Sequence, residues 1–163
     1  MVPADTVARG IAFWSIWRGL QGMSHTPRIE GIAETILYVD DLARAVTFYQ
    51  DVLGLPVIAG DGHRFAGLNP GGRQVLLLFK RGGTLTPTPV SGGVIPPHDG
   101  HGPHHLGFAI THESYAPWKE KLRSAGIAIE GEAQWARGGR SVYFRDPDGH
   151  LVELVTPGIW PNY

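Results

Sequence analysis

Apolar and polar positions change their period along this chain, and the changes predict short strands alternating with helices. The first apolar run, Ile32–Val39, is rich in β-branched and aromatic residues and predicts a strand that the polar Glu34 interrupts. Residues 42–53 then repeat apolar positions at helical spacing, with Asp41 before them as an N-cap and Gly54 after them as a C-cap. Three predicted strands follow, separated by glycine-containing turns: Pro56–Ala59, His63–Leu68 and Arg73–Phe79.

The same order of elements recurs in the second half. A strand at His105–Ile110 precedes a helix at His112–Ala125, which Gly126 ends. Residues 80–103, between the halves, are rich in Gly, Pro and Thr and lack an apolar period, so we expect a long loop that borders a site and is less ordered than the strands. The repetition indicates an internal duplication, an α+β fold of two βαβββ modules. The last three predicted strands are Ile127–Glu130, Arg140–Phe144 and Leu151–Val155.

Composition narrows the class of protein. The 163 residues suit one domain, and a hydrophobic share of 42% is sufficient for a core. The formal net charge of -1 provides no basic surplus for nucleic acid, so we expect no such partner. The absence of cysteine excludes disulfides, thiolate metal sites and cysteine nucleophiles.

The patterned sequence does not begin at residue 1. We predict an N-terminal extension over residues 1–30, of which residues 1–22 are expected to be dispensable, and a C-terminal tail over residues 157–163. The apolar run Ile11–Trp17 is too short for a membrane span and lacks the cleavage site of a signal peptide. We therefore expect no membrane partner and a cytoplasmic location.

Three stretches carry a resemblance to a known family. Residues 34–55 (ETILYVDDLARAVTFYQDVLGL), 102–108 (GPHHLGF) and 144–154 (FRDPDGHLVEL) resemble the glyoxalase/bleomycin-resistance/extradiol-dioxygenase proteins, the vicinal-oxygen-chelate superfamily. The resemblance implies one domain over residues 31–156, with module 1 at 31–80, a linker loop at 81–102 and module 2 at 103–156. It also implies a cupped mixed β-sheet with helices outside and, by analogy, a homodimer.

The resemblance further implies a divalent-metal site held by Glu34, His105 and Glu153. Each of these residues interrupts the apolar pattern of a predicted strand, and strand alternation can direct each side chain into a shared cup. One imidazole and two carboxylates form a mixed nitrogen and oxygen site that suits Fe, Mn, Ni, Zn or Mg without selecting among them. Glyoxalase-type members have a fourth protein ligand where this chain has an apolar residue, most simply Leu77, which leaves coordination positions for a small substrate with adjacent oxygens.

Three functions remain open. In a glyoxalase- or epimerase-like lyase or isomerase, Glu153 is the favoured catalytic base, and Glu34 is placed to serve the opposite stereoisomer. Tyr38, which we include among the substrate-binding residues, stands where the glutathione-dependent glyoxalase has an arginine, and this argues against that particular activity.

The second possibility is an extradiol-type Fe(II) dioxygenase, which the tyrosine of the last signature, Tyr143, favours. The missing histidine in Gln134-Trp135-Ala136 counts against it. The third is a binder of antibiotic or aromatic ligands without catalysis, with Trp135, Tyr143 and Phe79 lining the cup. The predicted metal ligands argue against a binder. Tyr143 and Trp135 are predicted to bind substrate in either enzyme.

Overall fold

Both predicted modules form in the computed structural model, which describes residues 26–163. The predicted N-terminal extension lies outside the described residues up to position 25. The first module consists of β1 (Glu34–Val39), α1 (Leu42–Thr47), a π-helical continuation (Phe48–Val52), β2 (Val57–Gly60), β3 (Phe65–Leu68) and β4 (Val75–Lys80). The α+β prediction of two βαβββ modules is confirmed.

The second module repeats this order, with β7 (His105–Ala109), α2 (Tyr115–Ser124), β8 (Ile129–Gln134), β9 (Arg140–Arg145) and β10 (Leu151–Val155). Between the modules, β5 (Thr88–Val90) and β6 (Gly93–Ile95) form a small antiparallel hairpin, so the linker is not a plain loop. Within residues 26–163, no helix has the length and apolar character that crossing a bilayer requires.

Each module builds one four-stranded mixed sheet. The strand orders are β1-β4-β3-β2 and β7-β10-β9-β8. In both sheets the first and last strands of the module are parallel neighbours, and the remaining pairs are antiparallel. The two sheets therefore have the same strand order and pairing, so each residue of one sheet has a counterpart in the other.

One face of each sheet belongs to a core that both modules share. Leu76 and Leu78 of β4 and Val152 and Leu154 of β10 are buried in this core. Because side chains alternate along a strand, the intervening residues point to the opposite, open face of each sheet. Glu153 is one of them, as the alternation in the sequence predicts.

The first helix departs from the predicted regular helix over residues 42–53. Asp41 caps it, accepting a hydrogen bond from the backbone N–H of Arg44 at 3.0 Å. From Phe48 the backbone widens into a π-helical turn, and both Phe48 and the adjacent Tyr49 are buried. Gly54, at a φ of +75°, ends the element as predicted, since a left-handed backbone favours glycine.

A buried hydrogen-bond cluster joins the two modules. The Tyr49 hydroxyl donates to Oδ2 of Asp146 at 2.9 Å, and Oδ1 of Asp146 accepts the backbone N–H of Asp148 and of His150. Burial raises the pKa of the Tyr49 hydroxyl, and the negative charge of Asp146 raises it further. Tyr49 therefore stays protonated and remains a donor to the buried carboxylate.

We expect Tyr49→Phe to lower the free energy of unfolding by about 1–3 kcal/mol, because it leaves a buried carboxylate oxygen without a donor. Urea denaturation measures the loss as a lower midpoint with an unchanged slope. Tyr115→Phe is the matched control: Glu132, which accepts from that hydroxyl, keeps Lys119 at 2.7 Å and solvent as partners. A loss no larger than the control's would contradict a stabilising role for the Tyr49–Asp146 bond.

Candidate metal and substrate site

Parallel pairing of β7 and β10 brings His105 and Glu153 together on the open face of the second sheet. In this ladder His105 lies opposite Leu151, and Glu153 lies opposite Gly107. Nε2 of His105 and Oε2 of Glu153 are 3.2 Å apart. The two residues, 48 positions apart in the sequence, thus direct a nitrogen and an oxygen donor to one point.

The Glu153 carboxylate is held firmly although its neighbour is exposed. Its side chain is 9% exposed, compared with 51% for His105. The hydroxyl of Tyr143, which lies opposite Glu153 in the β9–β10 ladder, donates to Oε1 at 2.9 Å. Burial raises the pKa of Tyr143, and Glu153 adds to the increase, so Tyr143 remains a donor that orients the carboxylate. Tyr143 therefore lies next to His105 and Glu153 on the open face of the second sheet.

Gly107 keeps the space in front of the carboxylate open. A Cβ atom at this position would lie 3.4 Å from Oε2 of Glu153, on the same face as His105. A larger side chain would occupy the space that both donors face. Imidazole nitrogen and carboxylate oxygen are donors that divalent cations accept, so the donor chemistry and the open space fit a metal ion.

A cavity of about 590 Å³ extends from these donors. The second sheet contributes His105, Gly107, Ala109, Tyr143, Glu153 and Val155 to its lining. Trp135, which was predicted to bind substrate, lies at its edge, and its indole Nε1 donates to Oγ of Ser141 at 2.8 Å. The cavity has the size of a small-molecule site.

Glu34 does not join the two donors. It borders a neighbouring hollow that Gly107 also lines, and residues 26–163 of one chain contain no group of three His, Asp or Glu side chains arranged to hold a metal ion. Glu34 is nonetheless the counterpart of His105. Each is the first residue of its strand and pairs with the first residue of the parallel neighbour, Val75 or Leu151.

The same register gives Leu77 and Glu153 equivalent positions in the two sheets. Glu153 pairs with the third residue of β7, and Leu77 pairs with the third residue of β1. Leu77 is therefore the first-module counterpart of Glu153. The first module offers one carboxylate where the second offers an imidazole and a carboxylate.

Tyr38, another predicted substrate-binding residue, lies in the first module and does not line the cavity. Its ring is buried, and its hydroxyl lies 2.7 Å from Nδ1 of His98, a linker residue. His98 also packs edge-on against Phe79, with ring centroids 5.0 Å apart. The linker thus covers the open face of the first sheet, and none of its described residues lines the cavity beside His105.

Sequence reasoning missed the contribution of the C-terminal tail. Four of its residues line the cavity together with the second sheet: Ile159, Trp160, Asn162 and Tyr163. Two aromatic residues within the last four positions were the available signal, but they follow no strand or helix period that would place them.

Comparison with known proteins identifies the class. The profile of the Glyoxalase/Bleomycin resistance protein/Dioxygenase superfamily matches residues 31–154. The chain is 30% identical to "Glutathione transferase FosA" of Serratia marcescens over 129 residues, which are 77% of this chain and 80% of the relative. It is 28% identical to "Metallothiol transferase FosB" of Staphylococcus epidermidis over 133 residues, which are 80% and 86% of the two chains.

A solved structure agrees with these sequence relationships. The crystal structure of lactoylglutathione lyase from Agrobacterium tumefaciens superimposes with a TM-score of 0.74 at 32% identity, covering 83% of this chain and 99% of that one. The chain belongs to the glyoxalase/bleomycin resistance/dioxygenase superfamily, as its sequence motifs predict. The relatives named here are enzymes.

Proposed function

We propose that this protein is a divalent-metal-dependent enzyme, a lyase or isomerase acting on a small substrate that chelates the metal through adjacent oxygens. The observation that carries the proposal is the convergence of His105 and Glu153 at 3.2 Å on the wall of the cavity, with Tyr143 fixing the carboxylate. Polar groups that converge in a largely apolar cavity are the usual mark of a site for chemistry.

His105 and Glu153 are the two donors through which module 2 would hold the ion. A bound divalent ion would act as a Lewis acid that polarises a substrate carbonyl and so acidifies the neighbouring carbon. Its identity among Fe, Mn, Ni, Zn and Mg stays open, because a nitrogen and oxygen donor set accepts all of them.

Glu34 is proposed as the third donor, contributed by a second copy in a homodimer. Within one chain, Glu34 lines a separate hollow and does not group with His105 and Glu153. This supports a site in which Glu34 comes from the second copy. A two-fold dimer forms two equivalent sites, so each copy would give one Glu34 and receive another. The homodimer and the cytoplasmic location remain parts of this proposal.

Proton transfer is assigned to Glu153. In the forward step the C–H bond beside the substrate carbonyl breaks, a Glu153 oxygen takes the proton, and the electron pair moves to the carbonyl oxygen. For a 2-hydroxyacyl substrate, the proton returns to the former carbonyl carbon while the hydroxyl proton passes to the former carbonyl oxygen. This completes an isomerisation and regenerates the carboxylate without a co-reactant. Tyr143 holds the carboxylate in place during both transfers.

Thiol transfer is a second candidate, because the relatives FosA and FosB are a glutathione transferase and a metallothiol transferase. It would use the same donors but requires a second substrate. Neither the dioxygenase nor the ligand-binding alternative gains support from these relatives.

Metal analysis followed by solvent-deuterium exchange tests the proposal. We expect the purified protein to retain a divalent ion and to accelerate deuterium incorporation into 2-oxo or 2-hydroxyacyl compounds above the rate in buffer. Removal of the ion by a chelator should abolish the acceleration, and its return should restore it. A metal-loaded protein that exchanges no such compound but transfers a thiol would favour the second candidate.

A further inference from the structure

The C-terminal tail, residues 157–163, is built into the cavity wall. The Tyr163 hydroxyl donates to the carbonyl of Ile110 at 3.2 Å and to that of Val155 at 3.0 Å, at the ends of β7 and β10. The backbone N–H of Gly158 donates to a main-chain carboxylate oxygen of Tyr163 at 2.9 Å, which closes the tail on itself. The tail is therefore fixed to the two strands that carry His105 and Glu153.

A contact between two glycines fixes the start of the tail against the β8–β9 turn. A Cβ atom at Gly139 would lie 2.8 Å from the carbonyl carbon of Gly158, and one at Gly158 would lie 2.7 Å from the backbone nitrogen of Gly139. Gly158 also has a φ of +104°, which favours glycine. The close approach brings the tail beside Trp135. The same turn holds Trp135, whose backbone N–H donates to the Gly139 carbonyl.

Trp135 and Tyr163 present mainly apolar ring surface to the cavity, since the polar atom of each side chain is hydrogen-bonded to the protein. The indole N–H of Trp135 is bound to Ser141, and the Tyr163 hydroxyl is bound to backbone carbonyls. Trp135 remains 42% exposed and Trp160 63% exposed, both on the cavity lining. Exposed indole surface next to a site is costly in water and available to an apolar ligand group.

The described cavity lining offers no lysine or arginine to pair with an anionic group beside these rings. Among the described lining residues, Glu153 carries the one side-chain carboxylate. Arg140, on β9, is committed elsewhere: its guanidinium lies 4.4 Å from the centre of the Tyr115 ring and donates to the carbonyl of His112.

We propose that Trp135 and the tail form a subsite for a flat, uncharged aromatic group attached to the chelating oxygens of the substrate. The inference rests on the proposed function, because the oxygens are taken to bind at His105 and Glu153. It assigns Trp160 a role in specificity and predicts rejection of substrates that bear an anion at this end.

Three hydroxamates with the same chelating oxygens test the subsite on the full chain loaded with Zn²⁺. Acetohydroxamate carries a methyl group, benzohydroxamate a phenyl ring, and 4-carboxybenzohydroxamate that ring with an added carboxylate. By calorimetric titration we expect the phenyl compound to bind on the order of 10- to 100-fold more tightly than the methyl compound. The added carboxylate should remove about tenfold of that affinity, because it would leave water for a subsite lined by Trp135 and Trp160 that offers no lysine or arginine to pair with it.

Trp160→Ala should reduce the phenyl preference to within about threefold, and Trp160→Phe should retain most of it. Leu85→Ala, at a residue 65% exposed outside the cavity lining, should leave the preference unchanged. Equal binding of phenyl and methyl compounds would overturn the subsite and leave the chelating site standing. Binding of none of the three would overturn both.

A surface between copies is the competing use of these rings. If Trp160→Ala lowers the sedimentation coefficient of ligand-free protein and leaves the phenyl preference intact, the tail serves an interface and the subsite is overturned. An unchanged sedimentation coefficient together with a lost preference supports the subsite.

Discussion

His105→Ala protein should lose divalent-metal affinity by more than about 100-fold, since even loss of a group that only supports a ligand costs 10- to 100-fold. His105 is the one nitrogen donor of the proposed set, and its side chain is half exposed, so its removal should not disturb the fold. Metal content after dialysis against a metal buffer, with thermal unfolding as a check of folding, measures the effect.

His104→Ala is the matched control. The adjacent imidazole stacks on His150 with ring centroids 5.1 Å apart, away from Glu153, and its backbone N–H, not its ring, donates to Nδ1 of His150. We expect this variant to keep its metal. Loss of metal from His104→Ala with retention in His105→Ala would mean that the register of β7 is shifted by one residue and the other face is the inner one.

Mixing two variants tests the origin of Glu34. Glu34→Gln and His105→Ala proteins should each bind metal poorly alone. If each site combines Glu34 from one copy with His105 from the other, random reassociation should restore about a quarter of the wild-type sites, because half of the dimers are mixed and each mixed dimer has one intact site. No recovery on mixing would contradict a shared site.

The residues of the second sheet could be predicted because strand alternation is a strong local rule. The observed β10 has the predicted bounds, and Val152 and Leu154 face the core while Glu153 faces the cavity. A period of two decides the face of a residue once its strand is recognised. The choice of His105 over the adjacent His104 as a metal ligand came from the resemblance to the superfamily.

Other features depend on contacts that no local pattern encodes. The distance between Glu34 and His105 is set by how the two sheets pack, and the tail reaches the cavity through the approach of Gly139 to Gly158. The linker hairpin did have a local signal: the dipeptide Ser91-Gly92, between Val90 and Gly93, is typical of a turn. That signal is obscured by the surrounding glycine and proline residues.

Glu153→Gln should separate metal binding from proton transfer. The amide has nearly the shape of the carboxylate, and its oxygen can still accept the hydrogen bond that Tyr143 donates at 2.9 Å in the native protein. The amide oxygen is a neutral and weaker donor to a cation, so metal binding should fall but remain measurable at raised metal concentration. The amide does not accept a proton from carbon near neutral pH, so the chemical step loses its base.

We expect deuterium exchange into a 2-oxo or 2-hydroxyacyl compound to fall by about 10²- to 10⁴-fold in metal-loaded Glu153→Gln, the usual contribution of a general base. Glu120→Gln, on the exposed surface of α2 with a side chain 72% exposed, is the control and should exchange at the wild-type rate. The exchange rate of Tyr143→Phe should fall less, because this change removes the hydrogen bond that orients the Glu153 carboxylate but leaves the carboxylate itself. Full exchange in metal-loaded Glu153→Gln would exclude this residue as the base and shift the role to Glu34, whose own Glu→Gln variant would then carry the loss.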